Sequence, residues 1–268
     1  MHKKLISISY TLYGNNYNYY LPIVKQFVFF SDYFYKVLNS EYEFEIVIFI
    51  DDTVDLNYFK DLPIKFILNT DQPLLSNVPS KMWRFYNIFF NEADIYLFRD
   101  SDSIISEREL YFLKTWFDSK FDSNVIRDTR LHLYPIMAGT FSVRGVCISL
   151  LQNILKENRC LINKRNHFYD QIYLAEVVYP KLIANLLVFS NFLVFENENY
   201  IKTDYRNHDF IGGYYINNKL PEHWHDFQFL DDVSLKRLKS LNYSTRLILL
   251  YISFLLLKKK VNFNNVLF

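Results

Sequence analysis

The sequence predicts an α/β body built on a mostly parallel sheet, followed by a basic, apolar tail. Three observations carry this. Short apolar strands alternate with helix-length segments over the first half of the chain, the rhythm of right-handed βαβ units. One strand, Phe44 to Ile50 (FEIVIFI), is almost wholly apolar and rich in β-branched residues, as two-sided burial in a parallel sheet requires. Two apolar strands end in acid, at Asp51-Asp52 and at Asp100-Ser101-Asp102, and the carboxyl ends of parallel strands are where such sheets bind ligands.

Leu5 to Tyr10 (LISISY) reads as the first strand, closed by the polar loop Gly14-Asn15-Asn16. Leu21 to Leu38 carries apolar residues at helical spacing. After Phe44 to Ile50 comes a third short strand, Ile64 to Leu68, then a helix over Lys81 to Phe90. Ile95 to Phe98 is the fourth strand and runs into the acidic pair. Glu107 to Phe117 is helical, Asn124 to Ile126 and Ile136 to Val143 are strands, and Val146 to Glu157 and His167 to Val178 are helices. A boundary near Phe229 to Val233 divides a body over 1–232 from a tail over 233–268. No internal repeat or low-complexity linker interrupts the body.

Half of the 268 residues are hydrophobic, enough for a core without disulfides or a structural metal. Cys147 and Cys160 lie in no CxxC or zinc-like spacing, so reduced thiols in the cytoplasm are expected. The start, Met1-His2-Lys3-Lys4-Leu5, leads into a strand and does not read as a signal peptide. From Val233 onward there are seven Lys and Arg and no acid; removing those seven from the chain's 30 leaves 23 basic against 29 acidic side chains. A mildly acidic body argues against nucleic acid as a partner, and a basic tail argues for an anionic surface. Within that tail Leu247 to Leu257 is apolar except for Ser253, between Arg246 and Lys258-Lys259-Lys260. As a helix it reaches only ~17 Å against a hydrocarbon core of ~30 Å. It is therefore expected at the cytoplasmic face of a membrane as a peripheral anchor. A buried terminal helix or a dimer contact is the competing reading.

Asp100 and Asp102 are two apart after an apolar strand, so in extended backbone they face one side. Such a pair can hold Mg²⁺ or Mn²⁺, with phosphate oxygens completing the shell. A divalent ion there neutralises the charge that builds on a leaving diphosphate when a glycosidic bond breaks. Alone the motif says little: with 18 aspartates in the chain, chance supplies about one such spacing. Arg84, between Trp83 and Phe85, either meets an anion as a planar fork or lies over a helix face. Asp170-Gln171 either meets a ligand or caps a helix. His132 stands in a loop, as a functional or a solvated residue, and Asp51-Asp52 either touch a ligand or merely end a strand.

The segments Ser7 to Asn16 (SISYTLYGNN), Met82 to Phe85 (MWRF) and Phe98 to Ser103 (FRDSDS) are followed by Arg108-Glu109, Trp116, Ile126-Arg127-Asp128, His132, Ile136 and Ala138-Gly139. Tyr169-Asp170-Gln171 and Tyr179-Pro180 complete the set. In this order, over roughly residues 5 to 213, the chain resembles glycosyltransferase-like proteins of bacteria and large DNA viruses. It is also similar to retaining glycosyltransferases of the glycogenin and lipooligosaccharide galactosyltransferase type, which have the GT-A fold. The resemblance implies a donor site of Ser9, Tyr10, Thr11, Arg84, Asp100, Ala138 and Gly139, with Asp100, Asp102 and His208 as metal ligands. Asp170 would hold sugar hydroxyls and Gln171 would lie near the anomeric carbon. Asp128 or Asp170 is the candidate base if the reaction inverts.

Two departures stand out. Met137 occupies the place of the family's Asn before Ala-Gly, and His208-Asp209-Phe210-Ile211-Gly212 matches only loosely, leaving His223 and His225 as competing ligands. The function implied is metal-dependent sugar transfer from a nucleotide-diphosphate sugar to a saccharide or lipid-linked saccharide, with retention, as in polysaccharide biosynthesis. The alternatives are a haloacid-dehalogenase-like phosphatase using the Asp pair as nucleophile and acid/base, and a non-catalytic saccharide-binding relative.

Overall fold

The structure is a computed structural model that describes residues 3–15, 19–33, 41–129, 132, 134–158, 169–191, 193–204 and 211–213. The expected boundary near Phe229, the tail over 233–268, and His208, His223 and His225 lie outside the described residues.

Eight strands are present among them: β1 (Lys4–Leu12), β2 (Tyr42–Ile50), β3 (Ile64–Leu68), β4 (Ile95–Arg99), β5 (Ser123–Arg127), β6 (Thr140–Arg144), β7 (Leu186–Ser190) and β8 (Asn199–Lys202). They form one sheet in the order β3-β2-β1-β4-β6-β5-β7-β8. Every strand runs the same way except β6, which is antiparallel to both neighbours. The helices are α1 (Tyr20–Tyr33), α2 (Asn87–Phe90), α3 (Glu107–Phe117), α4 (Val146–Glu157), α5 (Tyr169–Tyr173) and α6 (Tyr179–Leu182). The result is a mostly parallel α/β sheet, covered by helices and broken by one reversed strand.

Strand alternation splits the apolar residues into two cores, one on each face of the sheet. Ile6, Ile8 and Tyr10 of β1 join Ile46 and Ile48 of β2, Leu97 of β4 and Leu113 and Trp116 of α3. Val47 and Phe49 join Phe98, Phe141 and Val188, with Leu151 and Leu155 of α4, on the other face. On β1 that second face carries Ser7, Ser9 and Thr11 instead of apolar residues, and all three are buried.

The structure departs from the sequence-based expectation in three places. Lys81 to Phe90 is a 3-10 helix, Ser80–Tyr86, that ends in the single turn α2. Its five residues Met82 to Tyr86 are all buried, so no solvent-facing side exists to set an amphipathic period. The strand expected from Ile136 starts only at Thr140, because the chain first turns there, the Thr140 N–H donating to the Met137 carbonyl at 3.1 Å. Neither β7 nor β8 was anticipated, although Leu186 to Phe189 is a short apolar run bounded by polar residues.

The start of α3 shows how the acidic turn is fastened. Ser106 caps the helix by accepting from the Glu109 N–H at 3.2 Å. Glu109 faces the last residue of β4 and forms an ion pair with Arg99 at 2.7 Å, both side chains almost fully buried. Burial pushes the Glu109 carboxyl up, against the pull of Arg99. Glu109→Ala would leave the Arg99 charge buried without its counter-charge. The expected cost is about 3–5 kcal/mol of unfolding free energy, read from urea denaturation. A loss under about 1 kcal/mol, the range of an exposed pair, would contradict this account.

Candidate active site at the carboxyl ends of β1 and β4

β1 has β2 on one side and β4 on the other, so the strand order turns outward at this point and opens a crevice beyond the strand ends. The hydroxyl row on β1 docks the segment that follows Pro79. Asn87 Nδ2 donates to Ser7 Oγ at 2.7 Å, and Ser9 Oγ donates to the Arg84 carbonyl at 2.9 Å. The Arg84 N–H donates to Thr11 Oγ1 at 3.2 Å. Both backbone groups of one residue are thus held by two hydroxyls on alternate positions of a central strand.

The Arg84 guanidinium lies between two carboxylates. It is ion-paired with Asp100, which follows β4, and its Nη2 is 3.3 Å from Asp170 of α5. Its Nη1 also donates to the Arg99 carbonyl at 3.1 Å. The arginine side chain is 5% exposed and that of Asp100 40%, so a buried positive charge supports a carboxylate that still meets solvent. Burial works against the Arg84 charge, but Asp100 and Asp170 outweigh it and hold the group above its ordinary range. Burial pushes the Asp170 carboxyl up, opposed by Arg84 and then Lys81. In a 3-10 helix residues three apart eclipse, so Lys81 and Arg84 share an edge. Lys81, Tyr13 and Tyr169 border this site and were not among the expected site residues. The Lys81 N–H donates to the Tyr169 hydroxyl at 3.0 Å, and Tyr13 is 43% exposed at the end of β1.

Asp100 and Asp102 come together by a turn and not by strand alternation, which corrects the expectation. Ser103 closes the turn, its N–H and hydroxyl both donating to the Asp100 carbonyl, at 3.3 and 3.1 Å. Burial, then the Asp100 charge, pushes the Asp102 carboxyl up to about 7. Arg84 and Lys81 act against that rise without cancelling it. Among the described residues no cluster of three metal-ligating side chains forms.

Gly139 has a steric reason to be glycine. A Cβ there would stand 1.9 Å from Asp100 Oδ2 and 2.6 Å from Asp100 Cγ, so the carboxylate rests on the bare Cα. Gln171 holds the same loop. With its amide oriented to satisfy both ends, it donates to the Ile136 carbonyl at 3.0 Å and accepts from the Ala138 N–H at 3.2 Å.

Arg84, Asp100, Asp102, Ala138, Gly139, Asp170 and Gln171 are thus brought together. Ser9 and Thr11 reach the site through the Arg84 backbone. Tyr10 points to the opposite face, where its hydroxyl meets Gln26, and Gln26 in turn donates to the Ser103 carbonyl. Asp128 is fully buried and ion-paired with Arg108. His132 Nδ1 accepts from the Asp128 N–H at 3.1 Å, and burial lowers its imidazole to about 3, so it is neutral. Asp51 accepts from Thr53 N–H at 3.1 Å and so ends its strand in a turn. A cavity of about 720 Å³ opens elsewhere, between the first turns of α3 and the ends of β7 and β8, lined by Arg108, Tyr111 and Asp204. Arg84, Asp100 and Asp170 are not part of its wall.

No protein-family model matches the chain, and no curated protein matches it. Several solved structures are similar in outline. A glycosyltransferase involved in the glycosylation of the major capsid of PBCV-1 is 13% identical, over 69% of this chain and 81% of that one, with TM-score 0.41. The mannosyltransferase PcManGT from Pyrobaculum calidifontis, in complex with GDP-Man and Mn²⁺, is 9% identical over 58% of this chain and 46% of that one, with TM-score 0.37. Glucosyl-3-phosphoglycerate synthase from Mycobacterium tuberculosis, with Mn²⁺ and UDP-glucose, is 12% identical over 53% and 56%, with TM-score 0.37. The chain spans about half the length of the last two. Identity this low and overlap this partial say nothing about activity.

Two expectations follow from the geometry. Gly139→Ala should turn the Asp100 carboxylate off its ion pair with Arg84 while the fold stays intact. Mn²⁺ binding, followed by loss of the free-ion EPR signal, should weaken by about tenfold, the effect of disturbing a ligand's support. Unchanged binding would mean that Asp100 does not depend on the bare Cα. Separately, a cation at Asp102 must displace a proton below about pH 7. The apparent Mn²⁺ dissociation constant should therefore be flat above that pH and rise by about tenfold per unit below it. A constant unchanged between pH 8 and pH 6 would remove Asp102 from the ligand set.

Proposed function

We propose that this chain is a glycosyltransferase that moves a sugar from a nucleotide-diphosphate donor to a saccharide or lipid-linked saccharide. The observation that carries the reading is the Arg84 guanidinium held between Asp100 and Asp170 at the strand-order switch. That clamp joins residues from three distant parts of the chain which the motif order had already singled out. It supplies what a diphospho-sugar needs: positive charge for phosphate from Arg84 and Lys81, and acceptors for sugar hydroxyls from Asp170.

Asp100 and Asp102, with His208 as a third ligand, would hold Mn²⁺ or Mg²⁺, which when bound neutralises charge on the leaving diphosphate. Arg84 adds a fixed positive charge beside the same group. The Ala138-Gly139 backbone, held by Gln171 beside Asp100, would line the donor sugar. Retention is the stereochemistry proposed. The acceptor oxygen bonds to the anomeric carbon on the face the diphosphate leaves, the C–O bond to phosphate breaks, and the acceptor proton passes to the departing phosphate oxygen. Peripheral attachment to an anionic membrane through 233–268 belongs to the same proposal. Among the described residues no helix is long and apolar enough to cross a membrane.

One screen tests the reading. The full chain is incubated with common nucleotide sugars and Mn²⁺, and free nucleotide is measured. Hydrolysis of at least one donor is expected, abolished by chelator and reduced at least about a hundredfold in Asp102→Ala. Anomeric coupling in the product reads retention, and co-sedimentation with anionic vesicles reads the tail. Full turnover in excess chelator would refute the metal role. Hydrolysis of phosphate monoesters in place of nucleotide sugars would favour the phosphatase.

A further inference from the structure

Asp128 offers a carboxylate near the site but is enclosed on every side that the structure describes. It is 0% exposed. Arg108, in the first turn of α3, forms an ion pair with it and also donates to the Asp204 carbonyl after β8. The Ile211 N–H donates to the same Asp128 oxygen at 3.1 Å. One buried ion pair therefore grips the chain at Asp204 and again at Ile211. Asn191 Nδ2 adds a bond to the Asp128 carbonyl at 2.7 Å.

The grip continues toward the acidic turn. Ile211 is 1% exposed, in the core beneath α3. Beside it Gly212 adopts φ +77°, and a Cβ there would lie 2.9 Å from Thr140 Cγ2 and 3.4 Å from His132 Cε1. Thr140 adjoins Gly139, on which the Asp100 carboxylate rests. A continuous path of close contact thus runs from Arg108–Asp128 through Ile211-Gly212 and Thr140-Gly139 to Asp100.

We propose that Asp128, paired with Arg108, is a positioning residue that seats Ile211-Gly212 on Thr140 and thereby fixes the Gly139 support of Asp100. This deepens the glycosyltransferase reading and rests on it for the meaning of Asp100. It assigns Asp128 no proton transfer. A base must reach the acceptor hydroxyl, and this carboxylate faces Arg108 and a backbone N–H inside the protein.

The test compares Asp128→Asn, Arg108→Gln and the double variant in the full chain. Each single change leaves one buried charge without its partner, whereas the double change leaves two neutral amides. Mn²⁺ alone is the probe, read by EPR per folded molecule, with hydrogen exchange measured on the peptide covering 136–144. The single variants should bind Mn²⁺ about tenfold more weakly and exchange faster over 136–144. The double variant should return most of the affinity, because the effects of a contacting pair are not additive. If Asp128→Asn fails to fold, Arg108→Lys is read in the same way, since it keeps the charge and loses the fork that reaches Asp204.

Wild-type Mn²⁺ affinity and exchange in the single variants would overturn the proposal. So would a fall in kcat alone, with donor KM unchanged, the acid limb of the pH profile gone and no recovery in the double variant, since that pattern marks a base. If the wild-type chain hydrolyses no nucleotide sugar, the functional reading fails. Exchange over 136–144 still decides whether Asp128 positions Gly139.

Discussion

A guanidinium buried to 5% exposure at the end of a parallel sheet constrains nearly everything around it. Taking such a charge out of water costs several kcal/mol unless carboxylates accompany it. Asp100 and Asp170 do so, and each is itself bound to a different layer. Asp100 continues β4, the strand beside β1, while Asp170 opens the α5 region on the face where Val47, Phe98 and Leu151 pack. The pairing therefore registers the helical layer against the sheet. It also explains the hydroxyl row on β1: apolar residues at Ser9 and Thr11 would leave the Arg84 backbone groups without the partners they have here.

The reversed strand serves the same edge. β5 and β6 are antiparallel neighbours, so the chain between them must return at the end where β5 finishes, which is the carboxyl edge of the sheet. That return carries Asp128, His132 and the Ile136 to Gly139 loop to the level of Asp100. Had β6 been parallel, a crossover would have taken the same residues to the opposite end. The bare Cα of Gly139 then sets how closely the loop can approach.

Arginine recurs as the fastening of this edge. Arg99 ends β4 and pairs with Glu109; Arg127 ends β5 and pairs with Glu198, with neither side chain exposed. Burial lowers the Arg127 guanidinium and Glu198 counters it, and Tyr179 donates to Glu198 at 3.0 Å. Such pairs are weak sources of net stability, because desolvation offsets much of their attraction. They are directional, however, and each joins a strand end to a separate segment: Glu109 to α3, Glu198 to the approach to β8. Their value here is in holding loops in one arrangement beyond the strand ends.

The sequence by itself determined the α/β class, most element positions in the first half, and the acidic end of β4. These are local or periodic properties: apolar alternation, β-branched runs and polar breaks act within a few residues. It also marked Arg84, Asp100, Asp170 and Gly139 as a set, through motif order. Only the tertiary structure decided what joins them. Arg84 meets Asp170 across 86 positions, and Ile211 meets Asp128 across 83, separations over which no periodicity carries information. It also decided that Asp100 and Asp102 converge by a turn, that Tyr10 faces away from Ser9 and Thr11, and that Asp128 is closed in by Arg108. The reason is common to all of these. Side-chain direction and burial of charge depend on which layers pack together, and that is set by the whole chain at once.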